Sequence, residues 1–247
     1  MKKHSLPETK SIVLSVTKAY SCLAIIVFLF ASCKGKEERP GNPYQKCNNL
    51  LNACGQSLNV DYCTFGYKWG EDNPFSGAGS EREGPGSAGG VVTFSFVPAG
   101  VTFNTHVQIN LTSLSIDESI AISSCDPKDQ IRQAMAAWES VANITFQEIA
   151  GESVEGNIRF IAGSIQQGGV GFGNFTDDVC ASVAGQIAIG IPTRNTCDGF
   201  YSLVLHEIGH ALGLGHVSSA NVMNPSLQLT TLQPGDIKGV ESLYGPK

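Results

Sequence analysis

The chain has 247 residues, of which 42% are hydrophobic and 15% are charged, and its formal net charge is −6. This acidic balance gives no reason to expect nucleic-acid binding, because nucleic-acid-binding domains carry clustered basic side chains. The length exceeds that of a typical single domain, so we expect one domain with its own core and additional segments outside it.

The first 32 residues have the composition of an export signal. Lysines at positions 2, 3, 10 and 18 precede an apolar run from residue 19 to residue 32, which is too short to span a bilayer comfortably. Cys33 follows directly after Ala31 and Ser32, and this arrangement resembles a bacterial lipobox, whose cysteine carries lipid. Phe30 departs from the leucine usual in a lipobox, so ordinary signal cleavage is the alternative. We predict a signal peptide over residues 1–32 and a lipid anchor on Cys33 at the cell envelope; without the anchor the protein would be secreted.

Two segments follow the predicted signal. Residues 33–46 are charged and contain Pro and Gly, which suits a tether from the membrane. Residues 47–89 combine three cysteines with a Gly/Ser-rich linker, and they are too few to build a core without stapling. The role of this second segment stays open, since a propeptide remnant, a spacer and a small binding module all fit its composition.

Six cysteines remain outside the signal and the predicted anchor, and an even number suits three disulfides in an oxidising compartment. They are Cys47, Cys54, Cys63, Cys125, Cys180 and Cys197. Six cysteines allow about 15 pairings, and the sequence alone does not choose among them. We predict a Cys180–Cys197 disulfide, because these two cysteines bracket the segment that leads into the helix from about residue 200 to residue 212.

Residues 90–247 are predicted to form one domain of mixed strands and helices. The predicted strands, from their apolar and β-branched patterns, are 91–97, 144–149, 157–162 and 186–191. Asp126 and Pro127 have the character of an N-cap and a first helical residue, and Trp138 lies on the apolar stripe of the helix that they begin. Asp198 is the predicted N-cap of a second helix, and apolar residues at 237, 240 and 243 predict a packed C-terminal helix.

Residues 206–216 read H-E-x-x-H-x-x-G-x-x-H. His206 and His210 are four apart, so on a helix both imidazoles reach one metal ion from the same face. Gly213 can take a positive φ that turns the chain and delivers His216 as a third ligand. Three protein ligands leave the fourth position of a tetrahedral Zn²⁺ open for water, which is typical of a catalytic site. Glu207 is placed to take the proton of that water.

This motif resembles the zinc-binding motif of the metzincin metallopeptidases. Met223, seven residues after His216, resembles the Met-turn of that family, and the helix with Trp138 followed by residues 144–146 is similar to matrixin domains. The resemblance implies an α/β (α+β) metzincin-like fold. It comprises a twisted, mixed, five-stranded sheet, an active-site helix, a second long helix and a C-terminal helix below the cleft.

The resemblance also assigns an edge strand on which an extended peptide substrate pairs through its main chain. Its residues are Val170, Gly171, Phe172, Gly173 and Asn174. A glycine-rich loop is the alternative for this segment. A structural zinc is not expected, because Gly173 stands where typical members carry a histidine. Asp177 and Asp178 are candidates for calcium binding, although paired acids in a loop are commonly just solvated.

These patterns predict an exported, monomeric zinc endopeptidase that acts on proteins or peptides and is attached to a membrane by its lipid. Zn²⁺ would be held by His206, His210 and His216, with Glu207 as the general base. The alternative is a surface-binding lipoprotein that keeps the fold with little catalysis, but such a protein would have no chemical need for Glu207. Capping of the zinc by a free cysteine is a further alternative, although no segment resembles the matrixin cysteine switch.

Overall fold

The computed structural model describes residues 42–52, 54, 60–70, 77–78, 86, 88–166, 168–175 and 179–247. The predicted signal peptide and Cys33 lie outside these residues, and so do the calcium candidates Asp177 and Asp178. Within the described residues, no helix is both long enough and apolar enough to cross a bilayer.

The strands and helices alternate along the chain as the sequence predicts for a mixed fold. The strands are β1 (Cys63–Thr64), β2 (Gly77–Ala78), β3 (Gly90–Phe96), β4 (Thr102–Phe103), β5 (Leu111–Leu114), β6 (Ile144–Glu152), β7 (Ile158–Gly163), β8 (Gly169–Gly171), β9 (Gln186–Gly190) and β10 (Leu214–Gly215). The helices are α1 (Gln45–Asn48), α2 (Ile116–Ser119), α3 (Pro127–Glu139), α4 (Cys197–Ala211) and α5 (Pro234–Tyr244), with 3-10 turns at Asn49–Asn52 and Val179–Val183.

The main sheet has a mixed core of five strands in the order β6, β3, β7, β9 and β8. The first four of these strands run parallel, and β8 pairs with β9 in the antiparallel direction. The hairpin of β4 and β5 adds to one end of β7, so the sheet has seven strands rather than the five expected. The predicted fold class is confirmed.

Helix α3 begins as the sequence predicts. The carboxylate of Asp126 accepts a hydrogen bond from the backbone N–H of Asp129 at 3.0 Å, and Pro127 occupies the first turn. Its apolar face includes Trp138, which is fully buried. The Trp138 indole N–H donates to the carbonyl oxygen of Leu205 at 3.0 Å. This hydrogen bond joins the two long helices at the level of the predicted metal ligands.

The predicted Cys180–Cys197 disulfide is wrong. The structure pairs Cys47 with Cys180, Cys54 with Cys63 and Cys125 with Cys197, with Cα–Cα distances of 5.7, 5.9 and 6.0 Å. Cys197 begins α4 and lies beside Cys125 at the start of α3, whereas Cys180 lies in a 3-10 turn. The two cysteines bracket one stretch of sequence, but their partners are set by contacts that are distant in the chain.

The compact unit that contains the long helices begins at Asn42, so the boundary predicted at residue 90 does not separate two bodies. Residues 42–52 and 60–70, called here the N-terminal segment, pack against the end of α4. Strand β1 pairs with β10, and the Trp69 indole N–H donates to the Ala211 carbonyl oxygen at 2.8 Å. The segment needs no core of its own, because four of its aromatic side chains are buried in the domain, namely those of Tyr62, Phe65, Tyr67 and Trp69.

Candidate metal centre and substrate cleft

Helix α4 carries two of the predicted ligands. Its N-cap is Thr196 rather than the predicted Asp198: the Thr196 hydroxyl accepts from the Gly199 backbone N–H at 3.1 Å. Asp198 lies in the first turn, where its charge suits the positive end of the helix. Farther along the helix, His206 and His210 share one face, as their spacing predicts.

The third histidine is delivered by the turn that follows α4. Gly213 adopts a φ of +104°, which ordinary side chains rarely tolerate, and the chain reverses into β10. As a result the Nε2 atom of His216 lies 3.3 Å from that of His206 and 3.1 Å from that of His210. Two donors about 2.0–2.1 Å from a tetrahedral Zn²⁺ lie roughly 3.3 Å apart, so the spacing fits this ion.

Each of the three imidazoles turns its other nitrogen, Nδ1, toward an oxygen acceptor. His206 Nδ1 lies 2.7 Å from the Val222 carbonyl oxygen, and His210 Nδ1 lies 2.7 Å from the Leu214 carbonyl oxygen. His216 Nδ1 lies 3.1 Å from Oδ1 of Asn52. Acceptors at Nδ1 hold the proton there and leave Nε2 as a lone-pair donor. The residues present therefore fit a bound Zn²⁺.

The charge state of the histidines agrees with metal binding. Burial lowers the pKa of His206 and of His216 to about 4, and it lowers the pKa of His210 well below its ordinary value. All three are therefore neutral at neutral pH. Neutral imidazole is the form that binds Zn²⁺, because a protonated ring has no lone pair to give.

Glu207 lies on the same helix and is 4% exposed. Burial raises its pKa to about 8, while a backbone hydrogen bond from Gly171 and the charge of Arg194 act in the opposite direction. A cation held by the neighbouring histidines would favour the carboxylate further. A carboxyl group whose pKa lies near neutrality can both accept and return a proton, which is what general acid–base catalysis requires.

Met223 is buried and packs against Gly209, where a Cβ would overlap the Met223 Sδ atom. The turn that carries it is fixed by Asp236 of α5. The Asp236 carboxylate accepts from the backbone N–H groups of Val222 at 2.8 Å and Met223 at 3.2 Å. Since the Val222 carbonyl orients His206, Asp236 acts on the metal centre through this turn.

The predicted edge strand is shorter than expected. Strand β8 includes Val170 and Gly171, and it pairs with β9 along one edge; within the described residues no strand pairs with its other edge. Phe172, Gly173 and Asn174 follow the strand, and Asn174 forms an isolated bridge with Tyr67. The N-terminal segment contacts the chain here, so those three residues do not extend the strand.

The start of β8 passes close to Glu207. A Cβ at Gly169 would lie 2.9 Å from Glu207 Oε1, and a Cβ at Gly171 would collide with the Glu207 carbonyl oxygen. Glycine therefore lets the strand approach helix α4 at van der Waals distance. A peptide on the outer edge of β8 would lie beside Glu207 and the histidines.

Two cavities border the histidines. The first, of about 170 Å³, is lined by Gly168, Gly169, Arg194, Ser202, Leu203, His206, Glu207, Pro225 and Leu227. The second, of about 310 Å³, is lined by Asn52, His216, Val217, Ser218, Asn224, Pro225 and Ser226. Both border the metal centre, so both are accessible to a chain that lies across it.

Sequence reasoning missed three residues that shape this centre. Asn52 and Arg194 have no motif around them, and their positions follow only from the folded chain. Asp236 had a local signal: it is the third residue of α5, and its side chain bonds the Gln233 backbone N–H in a capping box. A capping acid beside the Met-turn is detectable from the sequence, whereas its bonds to Val222 and Met223 are not.

Comparison with known proteins adds an independent finding. The matrixin model of the M10 peptidases matches residues 104–245. Metalloendoproteinase 1 of Glycine max is 33% identical over 140 residues, which cover 48% of this chain and 45% of that protein. Interstitial collagenase of Oryctolagus cuniculus is 24% identical over 155 residues, which cover 58% of this chain and 32% of that protein. The chain thus spans less than half the length of these relatives.

Proposed function

Because the chain belongs to the matrixin family of peptidases, we propose that it is a zinc-dependent endopeptidase that hydrolyses internal bonds of proteins or peptides. The observation that carries this proposal is the arrangement of three neutral imidazoles whose Nε2 atoms converge beside a buried carboxyl group. The convergence favours a catalytic site, since three protein ligands leave a coordination position open.

His206, His210 and His216 would hold a Zn²⁺ ion through their Nε2 atoms, and the bound ion would supply Lewis-acid polarisation of the scissile carbonyl and lower the pKa of the attacking water. Glu207 accepts the proton that the attacking water gives up, and it then donates that proton to the leaving amine nitrogen. The water oxygen becomes part of the new carboxyl group, and the peptide C–N bond breaks.

Strand β8 positions the substrate in this proposal. An extended peptide added to its outer edge would be held by main-chain hydrogen bonds, which do not depend on the peptide's sequence. Selectivity would come from the two cavities, one bordered by His206 and the other by His216. The scissile bond would then lie over the centre formed by α4 and His216.

Export and membrane attachment form the part of the proposal that depends on sequence alone. The charged lead, the apolar run and Cys33 after two small residues support a lipid anchor on an exported chain. A lipid chain contributes about 0.8 kcal/mol for each buried methylene, and stable attachment takes two chains or one chain with a second signal. Cys33→Ser should move the protein from the detergent phase to the aqueous phase in a detergent partitioning assay.

The activity is tested with the full chain on a library of unstructured peptides. We expect cleavage that stops when a chelator removes zinc and returns when zinc is restored. Cleavage that persists in the chelator would overturn zinc catalysis. Peptide binding without any cleavage in the presence of zinc would support the alternative of a surface-binding lipoprotein that retains the fold.

A further inference from the structure

The three histidines are oriented by partners of two kinds. His206 and His210 face the backbone carbonyl oxygens of Val222 and Leu214. Those oxygens stay in place whatever side chains positions 222 and 214 carry. His216 instead faces a side chain, the amide of Asn52, which is 164 residues away in sequence. The Leu51 carbonyl oxygen also accepts the His216 backbone N–H at 2.7 Å. The third histidine is thus held on two sides by the N-terminal segment.

The side chain of Asn52 is exposed, but the backbone that carries it is held in place by neighbouring residues. It ends the 3-10 turn that follows α1, and the disulfide of Cys47 with Cys180 anchors that helix. The neighbouring Leu51 is 5% exposed and packs in a small apolar cluster with Phe65 and Phe172. The amide therefore reaches His216 from a fixed base.

We propose that Asn52 is a positioning residue of the metal centre. Its Oδ1 accepts the Nδ1 proton of His216, which keeps Nε2 unprotonated and sets the plane of the ring. This role rests on the proposed function. Asn52 itself lies outside residues 104–245, the part of the chain that matches the matrixin model. Loss of such an outer partner typically weakens metal binding about 10–100-fold.

The test is the zinc dissociation constant of the full chain, measured by competition with a chromogenic chelator. Asn52→Leu keeps the approximate volume but removes the acceptor, so zinc should bind about 10–100-fold more weakly. Asn52→Asp keeps an acceptor and should bind zinc at least as tightly as the parent. Asn49→Leu, an exposed position in the same 3-10 turn, is the matched control and should leave the constant unchanged.

Cobalt provides a second readout that does not depend on catalysis. Co²⁺ at the site should show a visible absorption band that shifts in Asn52→Leu and returns toward the parent in Asn52→Asp. A zinc constant for Asn52→Leu within about twofold of the parent would overturn the role of Asn52. Absence of zinc binding in the parent would instead overturn the proposed function itself.

A different observation concerns Arg194. It lines the cavity of about 170 Å³ that also contacts His206, Glu207 and Gly169 of β8. This cavity is bordered both by the proposed proton acceptor, Glu207, and by strand β8, on which the substrate is proposed to lie. It would therefore receive a substrate side chain next to the cleaved bond. The charge at this point in the cavity therefore acts directly on which peptides fit.

Within the described part of the chain, the guanidinium of Arg194 makes few polar interactions with other protein groups. There it donates one hydrogen bond, to the Gly199 carbonyl oxygen at 3.3 Å, and forms no ion pair. It lies beside the first turn of α4, where a cation opposes the helix dipole and does not stabilise the helix. The guanidinium borders the cavity instead, together with His206 and Glu207.

The geometry points to Arg194 as a specificity-determining residue that favours substrates with a carboxylate next to the cleaved bond. This inference also rests on the proposed function. Arginine binds a carboxylate through paired N–H donors, which makes the contact both strong and directional. A glutamate or aspartate side chain in the cavity would supply the partner that the protein does not.

The test compares peptides that differ only by Glu or Gln at a residue adjoining the cleaved bond, with one pair for each side. The measured quantity is the ratio of kcat/KM for Glu to that for Gln, because any effect of Arg194 on Glu207 cancels in the ratio. The parent should prefer Glu for one of the two pairs by about tenfold or more. Arg194→Gln should bring that ratio near one, and Arg194→Lys should keep part of the preference.

Arg132→Gln is the matched control, since Arg132 pairs with Glu148 rather than lining the cavity. It should leave the ratio unchanged. A parent ratio near one in both pairs, or an unchanged ratio in Arg194→Gln, would overturn the assignment. Failure of the parent to cleave any peptide would count against the proposed function instead.

Discussion

Two regions build the metal centre, and they do so in different ways. The region from α4 to the Met223 turn contains the three proposed metal ligands, and the acceptors of His206 and His210 lie 16 and 4 residues from them. The N-terminal segment instead provides two acceptors for His216, namely the Asn52 side chain, 164 residues away, and the Leu51 carbonyl oxygen. A motif therefore reports the groups that touch the metal, but not all of the groups that hold those ligands in place.

The two regions are also stabilised differently. Helix α4 is covered by the main core, in which Trp138 and Tyr244 are fully buried. The N-terminal segment packs in part on a small separate cluster that contains Phe65, Phe172 and the Cys47–Cys180 disulfide.

The largest effect should come from the helix itself. Glu207→Gln removes the proton acceptor but leaves the three imidazoles and their orienting partners in place. Peptide hydrolysis should fall by about 10²–10⁴-fold, while the zinc dissociation constant stays close to that of the parent. Steady-state kinetics and chelator competition on the same samples check both parts. A decrease of less than about tenfold would remove Glu207 from its role.

The next effect should come from the N-terminal segment. Replacing Cys47 and Cys180 by serine removes a covalent link across 133 residues, which should cost about 2–5 kcal/mol in the free energy of unfolding. It should also weaken zinc binding, because Asn52 loses its fixed base. Denaturant unfolding and chelator competition measure the two effects.

A matched variant separates the two regions. Replacing Cys125 and Cys197 by serine removes the link between α3 and α4 and leaves Asn52 anchored. It should lower stability while changing zinc affinity less than the Cys47 and Cys180 variant does. Equal zinc affinities for the two variants would show that the N-terminal segment has no special connection to His216.

Acid should lower the stability of the region where His106 packs on Phe172 of the small apolar cluster. His106 is buried with its ring centroid 4.9 Å from that of Phe172, and burial lowers its pKa from 6.5 to about 4. The unfolded chain therefore takes up this proton below pH 6.5, whereas the folded chain does so only near pH 4. The contribution is fully present above pH 6.5, and up to about 3 kcal/mol is lost as the pH falls to 4.

His106→Phe should remove this part of the pH dependence. The variant and the parent contain the same metal ligands, so the contributions of those ligands cancel in the difference. Unfolding by denaturant between pH 7 and pH 4 measures it. Parallel stability curves for the two proteins over this range would contradict the role of His106.

The smallest effect should come from the start of α4. Thr196→Ala removes the hydroxyl that accepts the Gly199 N–H, and loss of an N-cap costs about 1 kcal/mol. Asp198→Ala is a useful companion, since Asp198 lies in the first turn without capping it and should cost less. A larger loss for Asp198→Ala would restore the cap that the sequence predicted.

The sequence predicts well where neighbours in the chain determine the structure. The N-cap at Asp126 and the turn at Gly213 follow from residues within a few positions of one another, and the fold class follows from the resemblance that the histidine motif carries. The Cys180 pairing and the position of Asn52 do not, because each depends on a segment more than 130 residues away. The predicted edge strand was too long for a similar reason. The chain after β8 is positioned by a bridge between Asn174 and Tyr67, which belongs to the distant N-terminal segment.

The contact between Trp69 and Tyr244 has a consequence for the order in which the chain is made. The Trp69 backbone N–H donates to the Tyr244 hydroxyl at 3.2 Å, and that hydroxyl donates to the Leu212 carbonyl oxygen at 2.8 Å. A ribosome produces Trp69 long before Tyr244, so this contact of the early segment forms only after synthesis of α5 is finished. A chain that stops before α5 therefore lacks this link between the N-terminal segment and the carbonyl oxygen of Leu212 at the end of α4.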